Sequence, residues 1–197
     1  MSIIVDHEKR KLEILEKVID VFVDEGYGNV TFQKIADRCN ITRTTLYIYF
    51  KNKKEIFNFS IKRLLSKAND DIKIIIADDL IGSIEKITKI LTSIFDVLEE
   101  NRRLLSVILE FFLSKSKSKK DPQERIQRRT IKLRHILASI VINGIKNGEI
   151  KPIKIKIIND FLYSFIDAAI YRLVVLQSKT VGDLKKTAPA MIKMLGV

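Results

Sequence analysis

One stretch of the chain carries most of its usable chemistry. It reads Thr42-Arg43-Thr44-Thr45-Leu46-Tyr47-Ile48-Tyr49-Phe50-Lys51-Asn52-Lys53-Lys54-Glu55. Hydroxyls, phenols and cations crowd into it, and these are the donors that bind phosphate oxygens. Counted from Thr31 to Lys54, six cations (Lys34, Arg38, Arg43, Lys51, Lys53 and Lys54) stand against one anion, Asp37. The backbone amides after Asn52, together with Lys53 and Lys54, make one anion-binding position at the start of a helix. The chemistry expected of this region is the binding of a polyanion.

The surrounding sequence supplies elements to position those groups. Leu12, Leu15, Val18, Ile19 and Phe22 recur at helical spacing, with Glu13, Glu16, Lys17, Asp20 and Asp24 opposite, so residues 6–25 read as an amphipathic helix stopped by Gly26 and Gly28. Thr31 is an N-cap for a short helix through about Cys39, and Thr42 caps a second over Arg43–Tyr49. Asn52 caps a third, with Glu55 completing a capping box. Asn40 sits between the short helices and tolerates a positive φ. Ala36 is small enough for close helix approach, while Ile41 and Leu46 fill the space between the pair. Cys39 reads as a small buried filler. Two short helices joined in this way form a helix-turn-helix, whose second helix enters the DNA major groove.

The string Thr45-Leu46-Tyr47-Ile48-Tyr49-Phe50-Lys51-Asn52-Lys53-Lys54-Glu55, with Gly26-Tyr27, Thr31 and Ile35-Ala36 before it, resembles the TetR family of transcriptional regulators. The resemblance implies a dimeric repressor whose N-terminal domains bind a palindromic double-stranded DNA operator. It also implies a helical C-terminal domain that dimerises and holds a small-molecule effector. By the resemblance, Tyr47 and Tyr49 are phosphate-contacting aromatics, and Lys53 is a clamp on phosphate at a helix terminus. Thr31 is the hydroxyl that opens the first short helix. Gln33, Arg43 and Thr44 stand where the family approaches bases, with Thr42 and Thr45 beside them. Arg43 has the donors for guanine and Gln33 for adenine. Asn40 replaces the family's usual turn glycine, and Thr44 replaces a common glycine.

The expected fold is therefore all-α: a three-helix DNA-binding domain over 1–52, then a larger helical effector-binding and dimerisation domain over 53–197. Apolar spacing of three and four marks helices at 83–99, 102–115, 123–147, 154–178 and 183–195. The two strongest, 123–147 and 154–178, carry the faces expected at the dimer interface: Ile136 and Ile140 on one, Phe161, Ala168 and Ala169 on the other. Phe95, Phe112, Phe165 and Tyr171 are the expected walls of an effector pocket, with Glu110, Asp160, Asp167 and Arg172 as polar groups on the same helices. A basic run from Lys115 to Arg134 holds nine cations against two anions and reads as a solvated face.

Composition closes off several other functions. The chain has 197 residues, enough to bury roughly 70% of its unfolded surface without staples. One cysteine forbids an internal disulfide and fits a reducing cytoplasm. Seven glycines, three prolines and no tryptophan disfavour a turn-rich β fold. No run of 18 apolar residues exists to span a membrane, and the first residues, Met1-Ser2-Ile3-Ile4-Val5-Asp6, lack the pattern of a secretory signal. His7 and His135 are isolated, no metal-ligand spacing occurs, and no phosphate-binding glycine loop or nucleophile elbow is present. Neither a cofactor nor an enzymatic activity is expected. The net charge of +12 suits nucleic acid. It also suits two alternatives: a ligand-independent or chromosome-organising DNA binder of the same fold, and a basic helical interaction protein.

Overall fold

The structure, a computed structural model, describes the backbone of residues 2–115 and 122–197 and the side chains of 7–63, 65, 66, 68–111 and 131–197. Its elements are α1 (Ser2–Asn29), α2 (Phe32–Arg38), α3 (Arg43–Tyr49), α4 (Lys53–Ala77), α5 (Ser83–Glu100), α6 (Arg102–Lys115), α7 (Pro122–Lys146), α8 (Ile155–Ile170) and α9 (Gly182–Lys193). A π-helical turn, Tyr171–Val175, follows α8. Among the described residues the only extended pairing is one antiparallel bridge between Ile150 and Gly196.

Two compact units emerge. One comprises Met1–Ser66 with Arg103–Lys117, the other Lys67–Arg102 with Ser118–Val197. The boundary expected at 52/53 therefore falls inside the first unit. The reason is packing: Ile56 and Phe57, on the first turn of α4, are fully buried. Phe57 meets Phe22 at 5.3 Å, Tyr27 at 4.8 Å and Phe111 of α6 at 4.9 Å between ring centroids. Glu110, expected among the effector-binding helices, belongs to this unit and lies against Gly26.

Local chemistry sets the first unit's ends and turns. The helix spanning Ser2–Asn29 is interrupted at Gly26, whose φ of 73° and ψ of 153° leave helical space. Such a conformation is essentially open only to glycine. Thr31 accepts from the Lys34 amide at 3.2 Å and Thr42 from the Thr45 amide at 3.0 Å, so both hydroxyls cap as expected. Asn40 turns the chain with φ 54°, its amide donating to the Asp37 carbonyl and the Ile41 amide to the Ala36 carbonyl, both at 3.1 Å. That is a Schellman ending, reached with asparagine in place of glycine. Asn52 accepts from the Glu55 amide at 2.9 Å; the Glu55 carboxylate returns to the Lys51 amide at 2.6 Å, one residue before the usual capping-box position.

Lys53 joins these pieces. Its ammonium donates to the carbonyls of Tyr27 and Val30, each at 2.7 Å, and of Gly28 at 3.3 Å, and lies 4.6 Å from the centre of the Tyr27 ring. A cation thus gathers the carbonyls of the short turn that follows the break at Gly26. Ile14, Leu15, Val18, Phe22, Ile35, Ala36, Leu46 and Phe50 form the core beneath. Cys39 is 3% exposed, its Sγ 3.9 Å from the Ile14 carbonyl, and burial pushes its thiol up.

In the second unit α5 is central and packs against α7, α8 and α9. Ile87, Ile90, Leu91 and Phe95 are buried along it, against Leu137, Val141, Leu162, Ala169 and Ile192. Gly144 lets α7 approach the start of α5; a Cβ there would stand 2.8 Å from Ser83 Cβ and 2.6 Å from Ile150 Cδ1. The Glu149 carboxylate accepts from the Ser83 amide at 2.5 Å and caps α5. At the other end Glu99 accepts from the Val181 amide, and Lys185 bridges Glu99 and Asp96, tethering α9. The helix expected over 154–178 departs from its reading: regular α geometry ends at Ile170, the Leu176 amide reaches the Tyr171 carbonyl in a π turn, and Gln177 takes φ 51°.

Gly26→Ala is expected to destabilise the first unit by about 1–3 kcal/mol through backbone strain. Gly28→Ala, where a Cβ meets nothing, should stay within about 0.5 kcal/mol. Urea unfolding of the two variants checks the contrast. Lys53→Ala strips a charged donor from three carbonyls and should cost about 1.5–3 kcal/mol in the same assay, whereas exposed Lys51→Ala should leave stability unchanged.

Candidate nucleic-acid interface

The first unit presents its polar residues on α2, α3 and the start of α4. Thr31, Gln33, Thr42, Arg43, Thr44 and Tyr47 are exposed, while Thr45 and Tyr49 are half-buried. Burial of Leu46 and Phe50 fixes the rotation of α3, which sends Arg43, Thr44, Tyr47 and Ile48 outward. Several polar side chains on this surface are held by neighbours. Gln33 Nε2 donates to Asp37 at 2.7 Å. Thr42 and Thr45 hydroxyls lie 2.8 Å apart. The Arg43 guanidinium donates to the Tyr47 hydroxyl at 3.1 Å and sits 5.6 Å from its ring centroid. The Tyr47 ring rests against Phe32 of α2 at 4.6 Å, so α2 and α3 share an aromatic contact at the surface.

Tyr49 is braced by His7 of α1, ring to ring at 4.6 Å. His7 was isolated in sequence, and nothing at positions 7 and 49 signalled the pairing. Lys53 departs from the expected side-chain clamp on phosphate. Its ammonium is committed to the α1 carbonyls, because a half-buried cation finds three acceptors there within reach. Lys34 pairs with Glu25, and Arg38 approaches Asp24 at 3.8 Å. The sequence reading also passed over Ile48 as an exposed position; 64% of it is open to solvent. The signal available was an aliphatic residue one turn after Thr44, on the face opposite Leu46.

The expected effector and interface residues of the second unit do not share one surface. A cavity of about 870 Å³ is bounded by the end of α4, the loop after it, the start of α5 and α7, with Ile76, Leu80, Lys86, His135, Ile136 and Ile140 among its walls. Phe95, Phe165 and Tyr171 do not line it. Phe95 is fully buried within α5's packing, Tyr171 is 53% exposed, and Phe165 stacks edge-on against Phe161 at 5.2 Å. Phe112 lies outside the described side chains. Ile136 and Ile140, expected at the dimer interface, line the cavity, on the stripe that α7 turns toward α4 and α5. Ala169 is fully buried within the chain and presents nothing to a second copy. Phe161 and Ala168 keep partial exposure. Of the basic run from Lys115 to Arg134, only Lys132 and Arg134 have described side chains. Arg134 pairs with Asp160 at 2.7 Å and lies 4.1 Å from the Tyr163 ring centroid, while Lys132 borders the cavity.

Comparison with known proteins agrees with this arrangement on both units. Residues 14–58 match the family model for the N-terminal region of "Bacterial regulatory proteins, tetR family". Residues 84–182, half of the chain, match that for the "Tetracyclin repressor-like, C-terminal domain". The chain is similar to the fatty acid metabolism regulator protein of Bacillus subtilis, 23% identical with 93% of this chain and 92% of that protein covered. It shares its fold with a TetR transcription regulator from Haloarcula marismortui (TM-score 0.80, 20% identity, 96% and 100% covered). It likewise resembles the Bacillus subtilis transcriptional regulator FadR solved with stearoyl-CoA (TM-score 0.70, 22% identity, 92% and 96% covered). With an N-terminal helix-turn-helix and a helical C-terminal unit each matched by the corresponding family model, the chain belongs to the TetR family of bacterial transcriptional regulators.

Proposed function

We propose that the protein is a cytoplasmic repressor that binds a palindromic operator as a homodimer and releases it when an amphipathic acyl ligand enters the C-terminal unit. The observation that carries the DNA-binding half is the outward face of α3. There Arg43, Thr44 and Tyr47 stand exposed on a short helix capped and oriented by Thr42, Leu46 and Phe50. Arg43 reads a base by exchanging the Tyr47 hydroxyl for a guanine edge. Gln33 reads another by leaving Asp37. Tyr47, Tyr49 and the hydroxyls of Thr31, Thr42 and Thr45 contact phosphates and set register. Lys53 contributes indirectly, by fixing where α1 ends and α2 begins.

Two copies must be held at a fixed separation for two recognition helices to enter successive major grooves. The partly exposed apolar stripe of α8, with Ile157, Phe161 and Ala168 at helical spacing, is the surface suited to that pairing. For the effector, the support is the 870 Å³ cavity, whose walls combine isoleucines with Lys86, Lys132 and His135, beside Asp79 and Glu149. That lining suits a ligand with an apolar chain and an anionic end. The likeness to a fatty acid metabolism regulator points to the same chemistry. A ligand that binds better to a form with the wrong spacing weakens DNA binding by the coupling energy.

Anisotropy titration against duplex from upstream of the protein's own gene, beside a scrambled duplex at two salt concentrations, tests the DNA-binding half. The native duplex should bind more tightly at the higher salt; equal binding that collapses with salt would leave only backbone electrostatics. In that assay Arg43→Ala should cost about 1–3 kcal/mol and relax base preference at one position per half-site. Stearoyl-CoA should weaken operator binding by roughly 5- to 150-fold, and free coenzyme A should not. Ser139→Trp, which narrows the cavity from an exposed wall position, should abolish the response and leave operator affinity intact. An unchanged response in that variant would place the ligand elsewhere.

A further inference from the structure

Among the outward residues of α3, Ile48 is chemically out of place. It is 64% exposed on a helix surrounded by cations, between two tyrosines, and it carries no polar atom. It can neither donate to a phosphate nor bond a base edge. Neighbouring residues that can do so include Arg43, bonded to Tyr47, and Gln33, bonded to Asp37. Thr44 stands one turn earlier at i−4, so the two residues share a helical face. Ile48 is an exposed apolar position on an otherwise polar surface.

We infer that Ile48 is a specificity-determining residue that reads thymine through its 5-methyl group. This rests on the proposed docking of α3 in the major groove. There the thymine methyl is the one apolar group that the base pairs display, and apolar side chains contact it directly. A β-branched chain is well suited to the task. Its χ1 is nearly fixed within a helix, so little rotamer freedom is lost when it is pressed against a base. Arg43 and Ile48 leave α3 in different directions, five residues apart on a helix of 3.6 residues per turn, so the thymine read by Ile48 would be distinct from the position read by Arg43.

The test uses the full-length protein and an operator selected from a random duplex library. Each thymine of the selected site is replaced singly by deoxyuridine, which removes only the 5-methyl. For the unaltered protein, at least one position per half-site should weaken binding roughly fourfold. Ile48→Ala should bind thymine and deoxyuridine alike at that position while still distinguishing Arg43's guanine. Ile48→Val, which keeps the branch, should retain most of the discrimination. Thermal unfolding of both variants should match the parent, as expected for an exposed position. If Ile48→Ala discriminates thymine from deoxyuridine as the parent does, or if no position responds in the parent, the inference is overturned while DNA reading stands. If selection enriches no sequence at all, the DNA-reading function falls, and the inference with it.

Discussion

The ammonium of Lys53 is the contact on which the N-terminal unit depends. The turn that follows the break in α1 at Gly26 leaves carbonyls that must find donors. Here the donor arrives from the first residue of another helix, about 25 positions later, and serves Tyr27, Gly28 and Val30 together. Because Thr31 caps α2 immediately after Val30, fixing those carbonyls also fixes where α2 starts. The Tyr27 ring beneath the ammonium then carries the restraint inward to Phe22, Phe57 and Phe111. One cation therefore sets the relation between α1, α2 and α4, and α3 follows through the Asn40 turn and the buried Leu46.

This arrangement separates residues that hold the surface from residues that form it. Ala36, Leu46, Phe50 and Phe57 are buried and decide how α3 is rotated. Arg43, Thr44, Tyr47 and Ile48 are its outward product. The polar members of that product are not idle in the free chain. Gln33 and Arg43 each have an internal partner, so contact with DNA would exchange one hydrogen bond for another at modest net gain. Discrimination would then come from bases that fail to offer the exchange, more than from the strength of any single bond.

Much of the first unit was legible because its determinants are local. Thr31, Thr42 and Asn52 cap helices within three residues of themselves, and Asn40 turns the chain by its own φ preference. The destination of Lys53 was not legible, since its acceptors lie far off in sequence and a cation at a helix start reads equally well as a phosphate ligand. The pairing of His7 with Tyr49 was hidden for the same reason. In the second unit, periodicity identified which residues of α7 are apolar but not what they face. Ile136 and Ile140 read as a face for a second copy, and in the chain they line a cavity. Phe95 and Ala169 show the same ambiguity resolved toward the core. The π turn after α8 left no mark, because its residues have ordinary helix-compatible side chains.

Cys39 gives this architecture a built-in clock. It is the one cysteine of the chain, sealed at the end of α2 with its sulfur turned toward the backbone of α1. A thiol reagent reaches it only during excursions in which α2 lifts away, so its rate of modification counts those excursions without any added label. Anything that steadies the N-terminal unit slows the clock, and anything that loosens it makes the clock run faster. Openings of the N-terminal unit can thus be timed at a single sulfur atom.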